Sequence, residues 1–200
     1  MITSHLNRRE ILSIDEMDTQ RKSRRSIRLK DYDYSQPGGY FLTLVTLRRE
    51  HLFGEIVNGE MVLNEAGKIV LEIWEKLPER YPNAVTDERV VMPNHLHGVL
   101  FIVDDPVPVG AIHELPLRER ADETPEEYRL HRRRMLLPKV VGYFKMNTAK
   151  AINQFLNSSG IPVWQRNYYE HIIRTEDELE RIRNYIYYNP QQWEHDEENQ

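Results

Sequence analysis

The stretch Met92-Pro93-Asn94-His95-Leu96-His97-Gly98-Val99-Leu100-Phe101-Ile102 limits what this chain can fold into more than any other. A Pro-Asn pair marks a turn, and the apolar run behind it marks a buried strand. Side chains two apart on a strand point to the same face, so His95 and His97 converge on one place. Neutral imidazoles are frequent metal ligands, and a buried pair requires compensating partners. Whatever completes that place decides the chemistry.

The flanking patterns supply the remaining elements. Pro37-Gly38-Gly39 punctuates the chain before residues 40–47, which read as a first strand. Asn58-Gly59 separates residues 51–57 from 60–63, a strong hairpin signal. Ala66, Ile69, Val70, Ile73, Trp74 and Leu77 fall on one helical face, closed by Pro78 and Pro82. Residues 85–92 read as a second main strand, turning at Pro93-Asn94 into the histidine strand, 95–103. A second helix is expected from Pro138, with Val141, Phe144, Thr148, Ala151, Ile152 and Phe155 inward, stopped at Asn157-Ser158-Ser159-Gly160. A fourth strand falls around residues 168–173. Thr175-Glu176-Asp177-Glu178 is a capping-box signature for a last helix, 176 to about 189, ended by Pro190. The order predicts an α+β fold: a ferredoxin-like antiparallel sheet with helices on one face and an added C-terminal helix.

Residues 1–35 are expected to form a basic N-terminal arm, 36–193 one domain, and 194–200 an acidic tail. Within the domain, residues from about 104 to 135 have three prolines, mixed charge and no steady period, and read as a long loop. No run of eighteen apolar residues offers a membrane span. The N-terminus lacks the apolar stretch of a secretion signal, and cysteine is absent, which excludes disulfides and thiolate zinc sites. A cytoplasmic location is the expectation. A net charge of −5 argues, taken alone, against nucleic acid. Its distribution argues otherwise: Arg24, Arg25 and Arg28 sit in one basic segment, and Lys145 and Lys150 in another, 129–150, that contains no acid. Such stretches can supply a phosphate-binding footprint, although a charge run is more often a solvated face.

The last helix adds a nucleophile. Leu179, Ile182 and Ile186 form its apolar stripe. At about 100° per residue, Tyr185 and Asn189 share one edge of that face, whereas Tyr188 points nearly opposite and Tyr187 lies on the other edge. Pro190 biases Asn189 away from helical dihedrals, so its direction is less determined than that of Tyr185. Two histidines on a strand, with a phenol and an amide on a facing helix, suggest a metal-assisted nucleophile acting on a phosphodiester. A phenol with a pKa near ~10 needs help to attack at neutral pH. A divalent ion on the imidazoles and the amide oxygen would polarise the phosphate and stabilise the leaving 3′-oxygen. Tyr185 would keep the 5′-phosphate as an ester.

Three segments carry a resemblance to a known family. Met92 to His97 resembles the histidine–hydrophobe–histidine (HUH) motif of single-tyrosine transposases. Trp164-Gln165-Arg166-Asn167-Tyr168-Tyr169-Glu170-His171-Ile172-Ile173-Arg174, with Asn184-Tyr185-Ile186-Tyr187-Tyr188-Asn189-Pro190, is similar to that family's second signature. The segment 24–34 resembles the N-terminus of its REP-associated members, relatives of the insertion-sequence-200 transposases. The resemblance spans roughly residues 24–193. It implies a metal-dependent endonuclease and strand transferase acting on single-stranded DNA near hairpins, with Mg²⁺ or Mn²⁺. Tyr185 is then the nucleophile, and His95, His97 and Asn189 the ligands, although relatives often carry glutamine at the third position. It also implies a monomer or homodimer.

Two other readings compete. One is a domesticated protein that holds DNA hairpins without cutting. The other is a metal hydrolase unrelated to nucleic acid, against which counts the lack of a third histidine or an acid within the histidine motif. Other residues have simpler expectations: His171 as a hydrogen-bonded structural group, Glu178 as a cap, and Trp164 and Trp193 as anchors at the ends of the fold.

Overall fold

A computed structural model describes residues 37–103 and 136–199 of the chain. The N-terminal arm with Arg24, Arg25 and Arg28, and the loop at 104–135, lie outside the described residues. Four strands form the main sheet: β1 (Gly38–Val45), β4 (Ala84–Val91), β5 (His95–Ile102) and β6 (Tyr169–Ile173), in the order β4-β5-β1-β6. Every neighbouring pair is antiparallel. Between β1 and β4 come a two-stranded hairpin, β2 (Gly54–Val57) and β3 (Glu60–Leu63), then α1 (Glu65–Glu75) and the single turn α2 (Leu77–Arg80). Helix α3 (Leu136–Phe155) precedes β6, and α4 (Glu176–Tyr188) follows it. The main elements make the ferredoxin-like strand order expected from the sequence, with α4 added at the end.

Local chemistry accounts for the boundaries. Asn58 and Gly59 both have positive φ, 53° and 78°, as a tight two-residue hairpin turn demands. The Asn64 side chain accepts from Gly67 N at 3.0 Å and so caps α1. Pro78 does more than close α1: it opens α2, because the first helical turn does not need the amide proton that proline lacks. Helix α3 begins at Leu136, two residues before Pro138, which therefore sits inside its first turn.

The pitch of β1 and β5 divides the molecule into two buried layers. Tyr40, Leu42 and Leu44 of β1 join Leu96, Leu100 and Ile102 of β5 in a core shared with α1 and α3. There Trp74 meets Phe144 edge-on, with ring centroids 5.5 Å apart. Trp164, bonded through its indole N–H to Thr148 Oγ1 at 2.8 Å, closes one end of that core. The alternate residues, Phe41 and Thr43 of β1 with His95 and His97 of β5, face the opposite way, toward α4. The α4 stripe of Leu179, Ile182 and Ile186 is buried on that second face.

Two substitutions test this arrangement. A Cβ on Gly98 would stand 2.5 Å from the Trp74 ring, so Gly98→Ala is expected to lower stability by about 1–3 kcal/mol in a urea titration. Glu178 binds Arg174 N at 2.7 Å and His171 Nε2 at 2.8 Å. Burial alone would raise its pKa, but these two bonds hold it below 4.5. Because the folded-state value is depressed, its contribution is complete above the unfolded value and is lost as pH falls through the folded one. Glu178→Ala should therefore cost about 1 kcal/mol at neutral pH. In paired unfolding curves, that gap should narrow below about pH 4.5.

Candidate functional site

The turn at Pro93-Asn94 is held from three sides. Phe53 N donates to Pro93 O at 3.0 Å, Thr46 N to Asn94 O at 2.8 Å, and Met92 N to His95 O at 2.8 Å. These bonds set the start of β5, so the direction of the His95 side chain follows from backbone already paired. His95 and His97 share one face as the spacing predicted, with ring centroids 4.4 Å apart. They are 0% and 3% exposed.

Each imidazole has one nitrogen fixed by a neighbour. Asn94 Oδ1 lies 2.8 Å from His95 Nδ1. An amide oxygen only accepts, so Nδ1 carries the proton and Nε2 keeps its lone pair. That Nε2 is buried without a hydrogen-bond partner among the described residues. Thr43 Oγ1 holds His97 Nδ1 at 2.9 Å, and Phe41 stacks on the ring. Burial, with Arg49 adding to it, pushes the His95 pKa down to about 3. Burial and the His95 neighbour push His97 well below its usual value, although Asp196 opposes this. Both rings are neutral at physiological pH.

Helix α4 brings Tyr185 to this pair. Its hydroxyl stands 3.3 Å from His97 Nε2, and its ring meets Phe41 edge-on. Asn189 keeps helical dihedrals, φ −56° and ψ −42°, in spite of Pro190, and is 2% exposed. Its Nδ2 donates to Asp196 Oδ2 at 3.0 Å, while Oδ1 has no hydrogen-bond partner among the described residues.

Asp196 is the residue that sequence reasoning missed. From Asn189 the chain continues as tight turns, Asn189–His195 and Glu197–Asn199, that return to the histidines. One nitrogen from each of His95 and His97 and a carboxylate oxygen of Asp196 lie within 4.8 Å of one another. Trp193 packs on His51 and His95, and Arg49 pairs with Glu198 at 2.7 Å. Asn94 Nδ2 donates to Glu198 O at 2.6 Å. One signal was available: an isolated tryptophan, Trp193, beside an acidic tail indicates a segment that docks. The acid absent from the histidine motif is supplied from the other end of the chain.

These groups fit a divalent cation. Two neutral imidazoles and a carboxylate form a mixed nitrogen–oxygen donor set, and the unpartnered His95 Nε2 and Asn189 Oδ1 are buried acceptors that a cation would satisfy. The two lysines read from the sequence fall elsewhere. Lys145 Nζ donates to the carbonyls of Gln165, Arg166 and Asn167, at 2.5, 3.0 and 3.4 Å, and burial lowers its pKa to about 8. It staples α3 to the segment before β6. Lys150 is exposed on α3. Among the described residues no helix is long and apolar enough to cross a membrane.

Fold and site together define a ferredoxin-like α+β protein with a buried histidine pair, a carboxylate and a phenol on the α4 face of its sheet. The chain is 41% identical over 174 residues to an uncharacterized protein of Haemophilus influenzae, covering 87% of this chain and 92% of that one. It belongs to the same family as that protein. No family model matches the chain. Among solved structures, it is similar to a REP-associated tyrosine transposase bound to a REP hairpin, with 18% identity and a TM-score of 0.44 over 82% of this chain and 72% of that one. At that distance the chemistry must come from this chain's own residues.

Cation binding is checked by calorimetric titration with Mn²⁺. Asp196→Ala should weaken it about tenfold or more. Tyr185→Phe should leave it unchanged or tighten it, since the phenol and a cation compete for the same His97 lone pair.

Proposed function

We propose that the chain is a metal-dependent single-stranded DNA endonuclease and strand transferase acting near hairpins through a 5′-phosphotyrosine. The observation that carries this reading is the contact of the Tyr185 hydroxyl with His97 Nε2, beside the free Nε2 of His95 and the Asp196 carboxylate. Such a grouping supports a nucleophile working beside ligands for Mg²⁺ or Mn²⁺. His95, His97 and Asp196 would hold the cation, with Asn189 Oδ1 as a further donor. When bound, the cation supplies Lewis-acid polarisation of the scissile phosphate.

The remaining work belongs to protein groups. Tyr185 Oη attacks phosphorus, the bond from phosphorus to the 3′-oxygen breaks, and the 5′-phosphate stays on the phenol. The phenol proton passes to water as the ester forms, and the leaving 3′-oxygen takes a proton from water and ends as a hydroxyl, so the protons balance. Thr43 and Asn94 hold the two rings so that each presents Nε2. In the structure Tyr185 rests directly on His97, so its side chain must swing off that nitrogen, with α4 kept in place, before a phosphate can lie between them. The ester conserves the energy of the broken bond, so a second 3′-hydroxyl can displace the tyrosine and reseal a strand.

One observation favours the binding-only reading. The histidines are almost completely covered, and Trp193 and Asp196 are part of the cover. Incubating the protein with a labelled hairpin oligonucleotide and Mn²⁺ separates the alternatives. A covalent adduct that falls at least about a thousandfold in Tyr185→Phe supports the transferase. Cleavage that survives this substitution overturns it in favour of a water nucleophile. Hairpin affinity without any adduct selects the binding protein, and neither selects a hydrolase acting on other substrates.

A further inference from the structure

Helix α4 is tied to both edge strands of the sheet. On β6, His171 Nε2 bonds Glu178 Oε1 at 2.8 Å. On β4, Arg183 makes a two-pronged contact with Asp87, from Nε to Oδ1 at 3.0 Å and from Nη2 to Oδ2 at 2.5 Å. At about 100° per residue, Glu178 and Tyr185 lie on one edge of the buried stripe of α4, and Arg183 lies on the other. The two ties therefore oppose any roll of the helix about its axis. Such a roll would lift the Tyr185 hydroxyl from the histidines.

A bulge in β4 lies directly beside the second tie. Thr86 pairs with Leu100 and Arg89 with Gly98, so Asp87 and Glu88 together oppose Val99. Asp87 keeps the direction of Val85, toward α4, whereas the extra residue of the bulge sends Arg89 to the opposite face, where it pairs with Glu75 of α1. Asp87 Oδ1 also accepts Glu88 N at 2.6 Å, which fixes the carboxylate within the bulge. A planar guanidinium gripping both carboxylate oxygens fixes direction as well as distance, which a lysine does not. The contacts of Arg183 to Glu176 and Glu180, at 3.8 and 3.9 Å, are longer and reach exposed carboxylates.

We propose that the Asp87–Arg183 fork is a positioning pair, which sets the roll of α4 and thereby holds the Tyr185 hydroxyl at the histidine pair. Its consequence for catalysis rests on the transferase reading above; its effect on the position of Tyr185 does not. The full chain is prepared with 3-fluorotyrosine at position 185, as itself and with Asp87→Asn, Arg183→Lys, both together, or Glu180→Gln. Fluorine resonances and thermal unfolding are recorded, and then adduct formation and affinity for a hairpin oligonucleotide.

Asp87→Asn and Arg183→Lys should each move the fluorine resonance toward its solvent value, and the double variant should move it no further than either alone. Glu180→Gln should leave it in place. Adduct formation should slow about 10- to 100-fold in the fork variants, with hairpin affinity within about twofold, as expected for a misplaced nucleophile. An unmoved resonance in folded Arg183→Lys overturns the proposal, and so do additive shifts in the double variant. If the protein without fork substitutions forms no adduct, the transferase reading fails, and the fluorine measurement still decides the role of the pair.

Discussion

Strand β5 is buried on both faces, and the two-residue pitch of its backbone is the constraint on which the rest of the structure depends. Leu96, Leu100 and Ile102 fill the core beneath α1 and α3, whereas His95 and His97 face the other way, toward α4. A register slip of one residue would place two imidazoles among aliphatic side chains and turn Leu96 and Leu100 toward α4. At Gly98 helix α1 packs straight onto the strand, because the Trp74 ring occupies the space of the missing side chain. The hydrophobic layer and the chemical layer are therefore specified by one set of backbone bonds.

Burying two imidazoles side by side would be costly if their polar atoms had no partners. The fold answers with one neighbour for each Nδ1, Asn94 and Thr43, which leaves both Nε2 atoms aimed at the same space. Asn94 is bonded in three directions: its backbone carbonyl to Thr46, its Oδ1 to His95, and its Nδ2 to the carbonyl of Glu198. The orientation of one histidine is thus linked, through a single amide, to the docking of the chain's last turns. Those turns deliver Asp196, and Trp193 packs against the same ring.

Much of this could be read from the residues in order. Strong local signals translated directly: Asn58-Gly59 into the hairpin, the apolar stripe of α1 and the cap at Thr175 into helix faces, and the His95–His97 spacing into a shared direction. The edge position of Tyr185 on α4 followed from helical geometry, and its contact with His97 agrees with it. His171 and Glu178, read as structural groups, bind each other. What escaped was non-local. Lys145 resembled a surface cation in the sequence, but three carbonyls from the segment after α3 accept its hydrogen bonds. The bulge at Asp87-Glu88 left no periodic trace, because a polar run inside a strand can be exposed, bulged or paired.

The sequence by itself determined the elements, their faces and the residue types that meet at the histidines. Each of these depends on spacings of a few residues, which the geometry of helix and strand converts into direction. Tertiary structure alone decided which carboxylate joins the pair, how the phenol is held, and which lysine is engaged by backbone. Those outcomes require segments separated by tens of residues to arrive at the same place. Asp196 lies about a hundred residues from His95, and only the packed sheet, with α4 laid across its second face, brings them together.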